Sequence, residues 1–170
     1  MILKTARLAL RPQQLDDAPH LFAILGDPQA MRFWNRPATL RLGIVEEMVR
    51  EQQEAMASGL CRYWTVLEGG DAIGSVDLSL IEGASAELGF LLRRDRWSMG
   101  LGTEAVRCVI DHAFGPLGLR RLAAAVQTGN LAAVRLLEKS GFSRRDARPV
   151  RLAGGTLANC AFYALDRSAG

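Results

Sequence analysis

The sequence predicts an α/β fold, with a mixed, mostly antiparallel central sheet of about seven strands flanked by helices. Three observations predict it. Short runs alternate apolar and polar residues, as half-buried strands do. Three longer segments carry apolar residues at helical spacing. Glycine pairs and Gly-containing turns join the middle runs, which argues for antiparallel hairpins.

Taken in order, "ARLALRP" (6–12) alternates and stops at Pro12. "QLDDAPHLFAILGD" reads as a short helix with Leu21, Phe22 and Leu25 on one side and Gly26 as its stop. A loop, "DPQAMRFWNRP", ends at Pro37. From Thr39 to Ser58, Val45, Met48, Val49 and Met56 form an apolar stripe opposite Glu46, Glu47, Arg50, Glu51 and Glu54, and Gly59 fits the helix end. Strands follow in "CRYWTVLE", "AIGSVDLSLI" and "ELGFLL". From Leu101 to Phe114 the residues Leu101, Ala105, Val106, Val109, Ile110, Ala113 and Phe114 make one apolar face of a helix. "RRLAAAVQT" is a strand of small residues, and "NLAAVRLLEKS" a helix closed by Gly141. "FSRRDARPV" and "NCAFYALDR" complete the sheet. No composition shift or repeat divides residues 1–170, so one domain is expected.

Bulk properties narrow the function. The net charge of +3 suits an anionic ligand but is too small to argue for nucleic acid. Cys61, Cys108 and Cys160 are scattered, without a C-x-x-C pair, so neither a disulfide framework nor a zinc site is expected. No signal h-region or long apolar run occurs, and a cytoplasmic, soluble protein is the expectation.

The stretch that carries chemistry is "RWSMGLGTEA" (96–105). Gly100, Gly102 and Ala105 give the spacing G-x-G-x-x-A, one form of the dinucleotide fingerprint. The surroundings argue against that reading, which stays as a third class of function. Seven residues, Arg93 to Met99, separate the strand end from the first glycine, and "AVQTGN" ends the next strand without an acid to hold a ribose. A glycine turn at a helix start still makes an anion site from unpaired N–H groups, with Arg93, Arg94 and Arg96 upstream to add charge. The alternative is a tight turn beside a solvated arginine cluster.

The strand "AELGFLL", the loop, the amphipathic helix, the small-residue strand and "NLAAVRLLEKSGF" together resemble the GNAT acyltransferases, within them the RimJ/RimL-like branch that acetylates ribosomal-protein N-termini. Trp97-Ser98-Met99-Gly100-Leu101-Gly102 stands where the family carries R/Q-x-x-G-x-G/A, with Trp97 in the first place, as is usual for the branch. Asn130, Ala133, Glu138, Lys139, Gly141 and Phe142 match the downstream motif. The resemblance implies the GNAT fold and acetyl-CoA as co-substrate. In it the amides of Ser98 to Thr103 hold the diphosphate, and Phe90, Leu91 and Leu92 pair by backbone with the pantetheine arm, as an added strand does. Gly89 fits a bulge that splays this strand from its neighbour. In the resemblance Asn130 reaches the pantetheine or its neighbouring backbone; it also suits the N-cap of the helix that follows, and the two roles are compatible.

Acetyl transfer to an amine calls for a base and an oxyanion donor, the latter available in a strand amide near Phe90. Glu87 is the candidate base, on the opposite strand face from Ala86, Leu88, Phe90 and Leu92, with partial burial expected to raise its pKa. A structural ion pair is the alternative. The hydroxyls that family members offer as acid are replaced by Leu137 and Ala133, leaving Tyr63, Tyr163 or Ser140 as substitutes, or a thiolate that departs unaided because its basicity is modest. Trp34 and Trp64 suit either the core or an acceptor pocket, His112 a satisfied structural role, and the basic stretch Arg144–Arg151 either an anion-attracting surface or a solvated hairpin. The expected activity is acetyl transfer to a primary amine, first a protein N-terminus, then a small amine such as an antibiotic or polyamine. A non-catalytic acyl-CoA-binding module is the rival class. A monomer or homodimer is expected, with no nucleic acid or membrane as partner.

Overall fold

The computed structural model describes residues 1–168. The elements run β1 (Leu3–Lys4), β2 (Leu8–Pro12), α1 (Ala18–Leu25), α2 (Leu42–Ala57), β3 (Arg62–Glu68), β4 (Asp71–Glu82), β5 (Ser85–Leu92), α3 (Leu101–Phe114), β6 (Arg121–Gln127), α4 (Leu131–Lys139), β7 (Ser143–Arg151) and β8 (Leu157–Asp166). The strands form one sheet in the order β1-β2-β3-β4-β5-β6-β8-β7. Every neighbouring pair is antiparallel except β5 with β6.

Among the described residues the sheet has eight strands, one more than the seven runs legible in the sequence. The addition is β1, which folds back so that Leu3 faces Leu10 and Lys4 faces Ala9. Thr5 holds the reversal: its N–H donates to the Leu8 carbonyl and its hydroxyl accepts from the Leu8 N–H, both at 2.9 Å. Two residues are too short to show a period, so only the following run was legible.

One sheet face packs on α3 and α4. Leu8, Leu10, Val66, Leu78, Leu88 and Leu122 from the strands meet Leu101, Val106, Val109 and Ala113 of α3. Each fully buried Leu or Val there contributes about 1.5–3 kcal/mol. The other face takes α1 and α2, where Leu21, Ile24, Val45 and Val49 close around Leu91. The start of α1 is tied to the sheet by Asp17, which accepts from both guanidinium ends of Arg11 (2.8 and 2.6 Å) and from the Thr65 hydroxyl (2.6 Å). A buried carboxylate satisfied this fully is stable in place. Burial pushes its pKa up, but these bonds outweigh burial and hold it below the usual range.

The helix α3 forms with the expected ends because glycines bracket it: Gly100 is left-handed at φ 77°, and Gly115 stops it. No helix among the described residues is long and apolar enough to cross a membrane.

Candidate active site

The parallel ladder between β5 and β6 is short. It pairs Ser85 with Arg121, Ala86 with Leu122 and Glu87 with Ala123, then ends. Past that point β6 pairs only with β8, as far as Gln127. The two strands therefore part after Glu87, and the cleft between them is edged by backbone. The expected splay is present, but its cause differs from the one expected. Gly89 is not a bulge, since it pairs in regular register with Asp77; the irregularity of β4 and β5 lies between Ser79 and Glu82. A Cβ on residue 89 would stand 2.5 Å from an Asp77 carboxylate oxygen, so the glycine makes room for that carboxylate.

Backbone alternation decides which groups line the cleft. The Arg93 N–H donates to the Ile73 carbonyl at 2.7 Å, so Leu91 and Gly89, in phase with it, direct their backbone groups at β4. Phe90 and Leu92 direct theirs at the cleft. Of the three residues expected to pair with a ligand, Leu91 is thus committed within the sheet, and its side chain is buried under α1 and α2. The Leu92 carbonyl is taken by the Trp97 indole N–H at 2.9 Å, which pins the loop to the strand end.

At the mouth of the cleft the loop turns through two left-handed residues, Ser98 (φ 61°) and Gly100 (φ 77°). Backbone of this kind gathers N–H groups into an anion-binding concavity. The Glu104 N–H already bonds to the Gly100 carbonyl, which leaves those of Leu101, Gly102 and Thr103 as the open donors of the first turn. Gly102 serves packing as well: a Cβ there would stand 3.0 Å from Leu136 of α4. Arg7 steadies the turn, donating to the Met99 carbonyl at 3.0 Å and to Glu104 at 2.7 Å. Burial pushes the Glu104 carboxyl up, but bonds from Thr5 and Arg7 hold it below its usual range.

The charge expected from Arg93, Arg94 and Arg96 is not free. Arg93 pairs with Asp71 and Asp95, Arg94 with Asp27, and Arg96 with Glu68 and Asp95. The basic side chains bordering the loop without a carboxylate partner among the described residues are Lys4, Arg107 and Lys139, which line a groove with Gly100, Thr103 and the paired Arg7 and Glu104.

Across the sheet lies a second group of side chains. Asp77 of β4 is opposite Tyr63 on β3 and Gly89 on β5, and Ser79 is opposite Glu87. Directly paired residues share a face, here the face of α1 and α2. Glu87 is on the expected face but is exposed, against the partial burial expected of it. It stands opposite the small Ser79, just where the ladder ends, so water reaches it. It makes no ion pair among the described residues. The partly buried carboxylate is Asp77, pushed up to about 7 chiefly by burial; the Ser79 hydroxyl opposes the shift and the charge of Glu87 adds to it. Sequence reasoning missed Asp77. Its signal was a carboxylate between Val76 and Leu78, in the middle of a strand whose other carboxylates stand only at its ends. Tyr63 is pushed up to about 12, mainly by burial and then by Asp77, so its phenol stays neutral.

The remaining candidates fall into place. The Asn130 side chain accepts from the Ala133 N–H at 3.2 Å and caps α4. Tyr163 is buried, its hydroxyl 3.4 Å from Glu138, and the Ser140 hydroxyl is buried without a partner among the described residues. Leu137 and Ala133 are buried, so no hydroxyl occupies either place. Trp64 is core and meets His112 edge-on at 5.7 Å. Trp34 lies in the loop between α1 and α2, where its carbonyl accepts from Gln127 of β6 at 3.3 Å. In the basic hairpin Arg145 pairs with Asp166, and Arg148 pairs with Asp146 and covers the Phe162 ring.

An open strand pair with an anion-binding turn at its mouth agrees with the comparisons to known proteins. Residues 7–143 match the acetyltransferase (GNAT) domain family, and the chain belongs to that family. It is 29% identical over 146 residues to the uncharacterized N-acetyltransferase p20 of Bacillus licheniformis, across 84% of this chain and 82% of that one. Among solved structures, RimL, the ribosomal L7/L12 alpha-N-protein acetyltransferase in complex with coenzyme A, is similar at a TM-score of 0.88 and 16% identity, with 98% of each chain covered. Spermidine N-acetyltransferase from Vibrio cholerae, in complex with CoA and spermine, is similar at 0.84 and 19%, across 95% of this chain and 96% of that one. The protein is an acetyl-CoA-dependent N-acetyltransferase.

Proposed function

We propose that this enzyme acetylates a protein N-terminal amine, as a member of the RimJ/RimL-like branch. The observation that carries the placement of its chemistry is the parting of β5 from β6 after Glu87, directly beside the left-handed turn at Ser98 and Gly100. Acetyl-CoA lies with its diphosphate on the amides between Ser98 and Thr103. Its pantetheine arm runs along Phe90 and Leu92 as an added half-strand. The Phe90 N–H, unpaired and directed at the cleft, steadies the oxyanion. The acceptor enters from the α1 and α2 face, where Glu87 presents an exposed carboxylate that draws an ammonium group. Likeness to RimL supports the N-terminal acceptor.

A small polyamine is the second reading. The two carboxylates Asp77 and Glu87 on the acceptor face favour it, and so does the likeness to the spermidine enzyme. A panel of short peptides with free N-termini, set beside spermidine and an aminoglycoside, separates the readings by thiol release from acetyl-CoA and by the mass of the product. Peptide turnover at least about tenfold above that of the small amines, a margin of about 1.4 kcal/mol in the barrier, supports the first. Preference for spermidine supports the second. Coenzyme binding with no thiol release across the panel would leave a binding module.

A further inference from the structure

We propose that Asp77, rather than Glu87, takes the proton from the acceptor amine. The inference rests on the amine-transfer reading above and assigns a residue to its central step. Three features of the geometry single out Asp77. Glu87 stands where β5 is still paired with β6, through Ala123, whereas Asp77 is level with Gly89, two residues further on, where the strands have parted. The Asp77 carboxylate also crosses onto β5. It occupies the space a side chain on residue 89 would fill, 2.5 Å from that Cβ position, and so lies beside the residue that precedes the open Phe90 amide. Finally, Asp77 is partly buried, where Glu87 is exposed. A carboxylate in water is a weak base near neutrality, and one shielded in this way is better matched to an amine.

The titratable groups facing Asp77 are Glu87 on β5 and Tyr63 and Cys61 on β3. Arg36 acts on the Tyr63 end of the cluster, and α2 contributes the neutral Gln52. An ammonium acceptor first yields one proton to water. The neutral nitrogen then attacks the thioester carbon; the C–N bond forms, the C–S bond breaks, and its electron pair leaves with sulfur as thiolate. The surplus N–H proton moves to the Asp77 carboxylate and from there to the thiolate. Asp77 thereby fills the acid role that Leu137 and Ala133 leave open.

Kinetics on one amine from about pH 5.5 to about pH 9 test this, with wild type divided by variant at each pH so that the amine's own titration cancels. For Asp77→Asn the ratio of kcat/KM is expected to climb about tenfold per pH step of one below about 7, then level off at ~10²–10⁴. Glu87→Gln should keep a break in its own profile but move it to lower pH, because the charge that raises Asp77 is gone. A flat ratio near one for Asp77→Asn overturns the inference and leaves amine transfer standing. Failure of the wild type to acetylate any amine, with acetyl-CoA still bound in calorimetry, overturns both. Should Asp77→Asn not fold, Gly89→Ala displaces the carboxylate while leaving it in the chain: a drop in kcat with unchanged coenzyme affinity supports the inference, and unchanged kcat overturns it.

Discussion

At the scale of single residues, Asp77 links activity to stability. Its carboxyl titrates at about 7 in the folded chain against an ordinary 3.8. A folded pKa above the unfolded one means that the native state binds the proton more tightly. The contribution of Asp77 to stability is therefore full below about pH 4 and is lost as pH rises through about 7, because the unfolded carboxylate ionises freely while the native one is held back. The gap corresponds to at most about 4 kcal/mol. Asp77→Asn, which cannot ionise, should be more stable than wild type at pH 8. A gain of at least about 4 °C in Tm is expected, given about 2–4 °C per kcal/mol for a chain of this size. The gain should shrink as the melts are repeated towards pH 4. A Tm difference independent of pH would show that the group titrates normally. The same substitution is thus expected to strengthen the fold and weaken the reaction, the trade-off common where a site holds a charge in poor solvent.

At the scale of elements, legibility followed locality. The bounds of α3 were readable because the stripe Leu101 to Phe114 and the glycines at 100 and 115 all lie within one short stretch. The face carried by Glu87 was readable from strand alternation, but its exposure was not, because Ser79 comes to it only through pairing with β4. Asp77 was hidden for the same reason. Nothing near "SVDLS" announces that Gly89 will face it, and Gly89 alone reads as a bulge. Of the partners that engage the arginines at 93, 94 and 96, Asp95 is local and legible, whereas Asp27, Glu68 and Asp71 are distant in sequence and come to them only through the fold. Asn130 was legible as a residue with two compatible roles, and the structure shows its capping bond at 3.2 Å. Asn130→Ala is therefore expected to lower stability by about 1 kcal/mol, read as a fall in the denaturant midpoint with unchanged m. Coenzyme affinity should stay within about twofold, since the lost interaction belongs to α4 rather than to the ligand. A large fall in affinity at unchanged stability would assign the side chain to the pantetheine instead.

At the scale of the whole molecule, the sheet is continuous from β1 to β7 except where β5 leaves β6. Both halves have their own packing. Towards β1, strands β2 to β5 carry α1 and α2 on one face and share α3 on the other, while β6 to β8 pair among themselves. Backbone groups at the parting cannot all be satisfied by protein, so a ligand that completes them should register in the exchange of particular amides. Alternation along β5 makes this specific. The Leu91 amide points at β4 and should be protected in the free enzyme. The Phe90 and Leu92 amides point at the cleft and should exchange at least about tenfold faster, since protection tracks local hydrogen bonding. Saturating coenzyme A should slow Phe90 and Leu92 and leave Leu91 nearly unchanged. The amides of Gly102 and Thr103 should slow with them, because the diphosphate meets the helix start as the arm meets the strand. Protection of Leu91 alone on coenzyme binding would put the arm on the wrong side of β5 and rule out pairing along the cleft. Slowing at Gly102 and Thr103 without any at Phe90 would retain the anion site and reject the added strand.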